Sequence, residues 1–203
     1  MGGVRFTSML QQTDIQQAVK AYRETVARAK AVADGAILPE PVFIRFCTRA
    51  IAQDYVKEKS QKIPTGKRRE DEGSEFIYVF SIAEQSDAGS QELAAAFETG
   101  RQLQAQDDYP GKKNLCQLNG ATAERRAIYV GRSHSPRERF KQHLLESAGG
   151  TYGIHFQSWS CELHLHVEFF CYQFRGLGDL AAQVLEDGLW DHLKPILGKR
   201  GAR

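Results

Sequence analysis

The stretch Ala127–Glu146, AIYVGRSHSPRERFKQHLLE, constrains this chain more than any other, because it commits a strand, a turn and a helix in immediate succession. Ala127-Ile128-Tyr129-Val130 is β-branched and aromatic, which suits a buried strand. Gly131 ends it. Ser135 is placed to cap a helix, Pro136 fits the first helical position, and Glu138 completes a capping box. Phe140, Leu144 and Leu145 then share one stripe and face a core. Arg139 and His143 are four apart, so both project from one helix face beside that stripe. A tyrosine, an arginine and a histidine are thereby delivered to one place.

Two further stretches bracket this unit. Glu75–Ile82, EFIYVFSI, reads as a strand carrying Phe76-Ile77-Tyr78. Leu180–Leu193 reads as the last helix, with Leu185, Leu189 and Leu193 in register. In it Glu186 has Ala182 and Trp190 one turn to either side. A carboxylate among apolar neighbours is costly to desolvate unless something pairs with it. An arginine would do so structurally, and a divalent cation would do so functionally.

Taken together, Phe76-Ile77-Tyr78, then Tyr129-Val130-Gly131 with Arg139 and His143, then Glu186 resemble the signature of the GIY-YIG nucleases. That family includes homing endonucleases, the nuclease module of a bacterial excision-repair protein, and some restriction enzymes. The resemblance covers roughly Glu75 to Lys199. Three features differ from the family pattern. Phe76 stands where the family usually has Gly, a long insert separates Tyr78 from Tyr129, and Leu197-Gly198-Lys199 replaces a Pro-x-Asn ending.

The resemblance implies a Mg²⁺- or Mn²⁺-dependent endonuclease acting on DNA, with Glu186 as the metal-binding carboxylate. It implies that Arg139 neutralises the scissile phosphate, that Tyr129 or Tyr78 accepts or relays a proton from water, and that His143 orients the tyrosine or the water. A free tyrosine is a poor base at neutral pH, so adjacent positive charge is needed to lower its pKa. Arg132, Lys141, Lys199 and Arg200 are then expected to contact the nucleic acid as phosphate-positioning residues. Double-strand cleavage calls for a homodimer or for two sequential nicks. The competing reading, from another class, is a nucleic-acid-binding module that keeps the fold with weak or lost catalysis.

Bulk properties are compatible with both. Hydrophobic residues make up 41% and charged residues 26% of 203 residues, an ordinary globular mixture. No apolar run is long enough to span a bilayer, and the first residues lack the apolar core of a signal peptide. The four cysteines, Cys47, Cys116, Cys161 and Cys171, match no zinc module, and Cys161 and Cys171 share one strand parity, as buried thiols would. A reducing, cytoplasmic compartment is expected. Net charge is only +2, yet Lys112–Glu146 holds eight basic residues against three acidic ones. The tail adds Lys194, Lys199, Arg200 and Arg203. A polyanionic partner would require such clustering, although a solvated basic face has the same composition.

The expected fold is α+β: a small central antiparallel sheet of about three strands, flanked by helices. Residues 1–70 are expected to form an N-terminal helical extension and 71–203 the nuclease-like domain, with a helical insert at 83–120. Ile15, Val19, Tyr22 and Val26 mark a first helix, near Ile15–Ala33, and Val42–Lys59 a second. Lys67-Arg68-Arg69 lies in a charged loop that could touch phosphate, although a solvated loop is the plainer expectation. In the insert, Ser90 is placed to cap a helix over Gln91–Gln106 that is acidic overall. Gly149-Gly150 is expected to close the central helix. Glu162–Phe174 alternates as a strand, with Cys161, Leu163, Leu165, Val167, Phe169 and Cys171 on one face. His164 and His166 on the other face suggest either a metal ladder or, more plainly, a solvated sheet face.

Overall fold

The computed structural model describes residues 12–35, 37–111, 113–145 and 151–201. The expected closure at Gly149-Gly150, and the basic residues Lys112 and Arg203, lie outside the described residues. Among the described residues, four strands form one antiparallel sheet: β1 (Val42–Cys47), β2 (Ser74–Ile82), β3 (Ala127–Arg132) and β4 (His166–Arg175), in the order β1-β4-β2-β3. Five α-helices among the same residues flank it: α1 (Gln12–Asp34), α2 (Gln53–Ser60), α3 (Ser90–Ala105), α4 (Pro136–Leu144) and α5 (Asp179–Leu193). The α+β class is as the sequence implies. The sheet has one more strand than expected, and that strand comes from the N-terminal segment.

This fourth strand corrects the helix expected over Val42–Lys59. Val42–Cys47 is extended and pairs with β4 from Val42↔Cys171 to Cys47↔His166. Ile44 and Phe46 are buried while Phe43 and Arg45 are exposed, the two-residue period of a strand. Only Gln53–Ser60 of that segment is α-helical. Aromatic and β-branched residues satisfy either period over so short a run, and the free edge of β4 decides it. Ile44, Phe46, Ile51, Val56 and Ile63 share one core with Phe76, Tyr78, Phe80, Phe140 and Phe169.

β2 is central and almost wholly buried. Phe76, Tyr78 and Phe80 point into the main core toward α4, whereas Ile77 joins Phe174, Leu177, Ala181 and Ala182 beneath α5. Phe76 fills the main core and leaves the strand regular. In the insert, α3 buries Leu93 and Phe97, while Leu103 is exposed. Its cap is Gly89, whose N–H donates to Glu92, and Ser90 Oγ instead donates to the Thr122 carbonyl.

Other expectations shift in detail. Ser135 sits at the N-cap of α4 but makes no side-chain cap bond, and Glu138 pairs with Lys141. β4 begins at His166, because Ser160–Leu165 turns before it. Cys161 therefore lies outside the strand and is exposed, so it is not the buried thiol its parity suggested; Cys116 and Cys171 are buried. The apolar stripe of α1 (Ile15, Val19, Tyr22, Val26) is exposed rather than packed. His164, like Cys161, precedes β4, is exposed and lies 3.1 Å from Arg49, while on the strand itself Glu168 pairs with Arg45 of β1.

Candidate active site

A cleft of about 320 Å³ opens beside β3. It is lined by Glu75 and Tyr78 of β2, by Tyr129, Gly131 and Arg132 of β3, by Ser133 and His134, by Arg139 of α4, by Gln183 and Glu186 of α5, and by Lys199. Register explains how one cleft draws on both sheet faces. Phe80 is opposite Tyr129 and Tyr78 is opposite Gly131, so these side chains share the face that α4 covers. Arg132 is opposite Ile77 and so belongs, with Glu75, to the face that α5 covers. β3 is the edge strand, and the cleft wraps around it. The chain after α5 is tied to that edge by Ile196 N–H to Ala127 O (2.9 Å) and Leu197 N–H to Ile128 O (2.8 Å), which sets Lys199 at the mouth.

Gly131 makes the convergence possible. A Cβ there would come within 2.8 Å of the Tyr78 hydroxyl and 2.7 Å of the Tyr129 ring. With only hydrogen at that position, the two rings stack nearly parallel, 9° apart, with centroids 6.3 Å from each other. His143 packs against both. It is fully buried, and its Nδ1 accepts the backbone N–H of Ile154 at 3.1 Å. Burial, reinforced by the charge of Arg139, holds its pKa well below the usual histidine value. A neutral imidazole accepting at Nδ1 carries its proton on Nε2. Nε2–H therefore donates to the Tyr78 hydroxyl oxygen, 3.2 Å away. His143 is a fixed donor behind Tyr78, not a base.

Arg139 donates to Gln142 at 2.7 Å and to the Tyr152 carbonyl at 3.3 Å, and it acts on both tyrosine hydroxyls. Burial pushes the pKa of Tyr78 up, and Arg139 only partly counters it. Burial raises Tyr129 as well, helped by Tyr78 beside it. In the protein alone both phenols thus stay protonated, so the lowering expected from Arg139 is outweighed by desolvation.

On the other side of the cleft, Glu186 is mostly buried and meets Arg132 Nε at 3.4 Å and Gln183 Nε2 at 3.4 Å. Burial raises its pKa and Arg132 opposes the shift. The arginine that would pair it structurally is therefore present. Arg132 also reaches Asp179 at 2.6 Å and Glu75 at 3.6 Å, so its charge is already committed to carboxylates.

Of the sequence-predicted residues, Tyr78, Tyr129, Arg132, Arg139, Glu186 and Lys199 line the cleft, and His143 lies directly behind it. Lys141 and Arg200 do not line it. Lys141 pairs with Glu138 at 3.0 Å, and Arg200 binds Asp191 at 2.8 Å. Arg137, from the same basic run, is spent on the carbonyls of Ile63 and Gln61. Sequence reasoning missed Glu75, His134, Asp179 and Gln183. Glu75 carried a readable signal: an acid beginning an otherwise apolar strand must find a cation or a donor. Compared with known proteins, the chain matches no protein family, no curated protein and no solved structure. No helix among the described residues is long and apolar enough to cross a membrane.

Proposed function

We propose that the protein is a divalent-metal-dependent endonuclease that hydrolyses phosphodiester bonds in DNA by a single-metal route of the GIY-YIG type. The observation that carries this reading is the convergence of Tyr78, Tyr129, Arg139 and Glu186 on one cleft, with His143 bonded to Tyr78 from behind. These side chains come from two strands and two helices far apart in sequence.

The donor set fits a hard cation. Glu186 supplies carboxylate oxygens to the cleft, beside the cationic groups that would meet a phosphate. Mg²⁺ or Mn²⁺, when bound, supplies Lewis acidity to a phosphoryl oxygen and a more acidic water. The remaining roles fall to the chain's own groups. Arg139 offers a guanidinium to the scissile phosphate and favours ionisation of the neighbouring phenols. Tyr78 or Tyr129 handles the proton of the attacking water. Nε2–H of His143 holds the Tyr78 oxygen in place and stabilises charge on it. Lys199 at the mouth contacts a flanking phosphate. The four unpaired cysteines suit a reducing cytoplasm. Cleavage of both DNA strands requires a homodimer or two successive nicks.

A plasmid-nicking assay with Mg²⁺ or Mn²⁺, with and without EDTA, tests the reading. Wild type nicks only with the ion, and Arg139→Ala and Glu186→Ala do not. Equal nicking by variants and wild type would reject it. One observation favours the second reading, a DNA-binding module with weak catalysis: Arg132 already neutralises Glu186. Metal-independent DNA binding without nicking is the outcome that selects it.

A further inference from the structure

The α5 side of the cleft holds more negative charge than its cation can balance. The Arg132 guanidinium is the meeting point of three carboxylates, with contacts of 2.6 Å to Asp179, 3.4 Å to Glu186 and 3.6 Å to Glu75. Glu75 is 6% exposed, lines the cleft, and its Oε2 has no hydrogen-bond partner among the described residues. The 3.6 Å to Arg132 is a charge contact without a hydrogen bond. A buried carboxylate oxygen in that state calls for a further cation. On the solvent side of it stands an imidazole: His134 Nδ1 is 3.7 Å from Glu75 Oε2. One ligand atom each from Glu75, His134 and Asp179 lies within 4.8 Å of the others.

We propose that Glu75, His134 and Asp179 form a second divalent-cation site on the rim of the cleft, separate from the Glu186 carboxylate, and that it takes Mn²⁺ or Zn²⁺ in preference to Mg²⁺ or Ca²⁺. The selectivity follows from the imidazole, which suits the transition metals and zinc, whereas Mg²⁺ and Ca²⁺ take oxygen donors. The three ligands come from the start of β2, the turn after β3 and the first residue of α5. Glu75 is held rigidly in the sheet, while His134 and Asp179 are exposed and adjust around the ion. Loading draws Asp179 away from Arg132. The guanidinium keeps its contacts with Glu186 and with Gln183, the latter at 3.2 Å. Arg132 thus serves as the resident cation of an unloaded site. This inference stands whether or not the protein cleaves DNA.

Mn²⁺ titration followed by electron paramagnetic resonance tests it, with pulsed detection of nitrogen coupling. Wild type binds Mn²⁺ with an imidazole nitrogen in its coordination shell. His134→Ala removes that coupling, and His134→Ala and Asp179→Asn each weaken binding at least about tenfold. Both residues are exposed, so neither change opens a cavity, and circular dichroism checks the fold of each; Glu75→Gln, checked in the same way, repeats the loss from the buried side. Zn²⁺ displaces the bound Mn²⁺ in wild type. Glu186→Gln keeps the nitrogen-coupled signal even where it abolishes nicking, which separates this site from the proposed catalytic one. Mn²⁺ bound without nitrogen coupling, unchanged affinity in His134→Ala and Asp179→Asn, or loss of the signal in Glu186→Gln would each overturn the proposal.

Discussion

Nε2–H of His143 donates to the hydroxyl oxygen of Tyr78 across 3.2 Å, behind the cleft that Tyr78 lines, with both side chains buried. The opposite ring nitrogen is held by the Ile154 backbone N–H, so neither the tautomer nor the ring orientation is free. Replacing His143 with alanine leaves a cavity and strands that N–H. We expect a loss of about 2–4 kcal/mol in urea denaturation. Nicking should fall further than stability explains, because the Tyr78 oxygen loses its donor.

The same histidine makes stability depend on pH. Its folded-state pKa is depressed well below the unfolded value, so below about pH 6.5 the unfolded chain binds a proton that the folded chain refuses. His143 therefore contributes no penalty above that pH, and stability falls as the pH drops beneath it. The decline is at most about 1.4 kcal/mol per pH unit from this group. Urea midpoints from pH 7.5 to 5 should show the slope in wild type, and His143→Gln should flatten it relative to wild type.

Gly131 is required for space. Gly131→Ala would press a methyl group against both the Tyr78 hydroxyl and the Tyr129 ring. We expect about 1–3 kcal/mol of destabilisation, seen as a lower Tm, and a loss of nicking that increased metal does not restore. Wild-type activity in this variant would show that the two rings need not stand as they do.

Removing Arg132 should reveal the charge it balances. Its side chain is 17% exposed, against 8% for Glu75 and 13% for Glu186. Arg132→Met leaves buried carboxylates unpaired and should cost about 3 kcal/mol or more in denaturation. Adding Glu75→Gln should recover part of that loss, and a double-mutant cycle measures the coupling. Purely additive effects would show that the two side chains do not interact energetically.

The N-terminal segment cannot be cut away at residue 70. A chain of residues 71–203 lacks β1 and the buried side chains Ile44, Phe46, Ile51, Val56 and Ile63, and it leaves the edge of β4 open. It also leaves Arg137 without the carbonyls of Gln61 and Ile63. We expect such a fragment to be insoluble or to bind a hydrophobic dye, as an uncovered core and a free strand edge do. A soluble fragment with a cooperative melt would contradict this.

Local order was legible in the residues themselves. The strand of Tyr129, the proline-led start of α4, the helix of Glu186 and the α+β class all follow from short-range period and turn chemistry, which neighbouring side chains fix without help from distant ones. The grouping of Tyr78, Tyr129, Arg139, His143 and Glu186 was legible only through a resemblance of motif order. What tertiary structure decided is every matter of partnership. Val42–Cys47 became a strand because β4 had an open edge. Burial, a property of the whole core, overrode the charge of Arg139 in setting the pKa of Tyr78. Arg132 faces three carboxylates because pairing register and the placement of α5 bring them there, and no spacing along the chain encodes that meeting. Lys141 and Arg200 lie in basic stretches yet serve nearby acids, since an ion pair is settled by distance in space rather than by charge counted along a sequence.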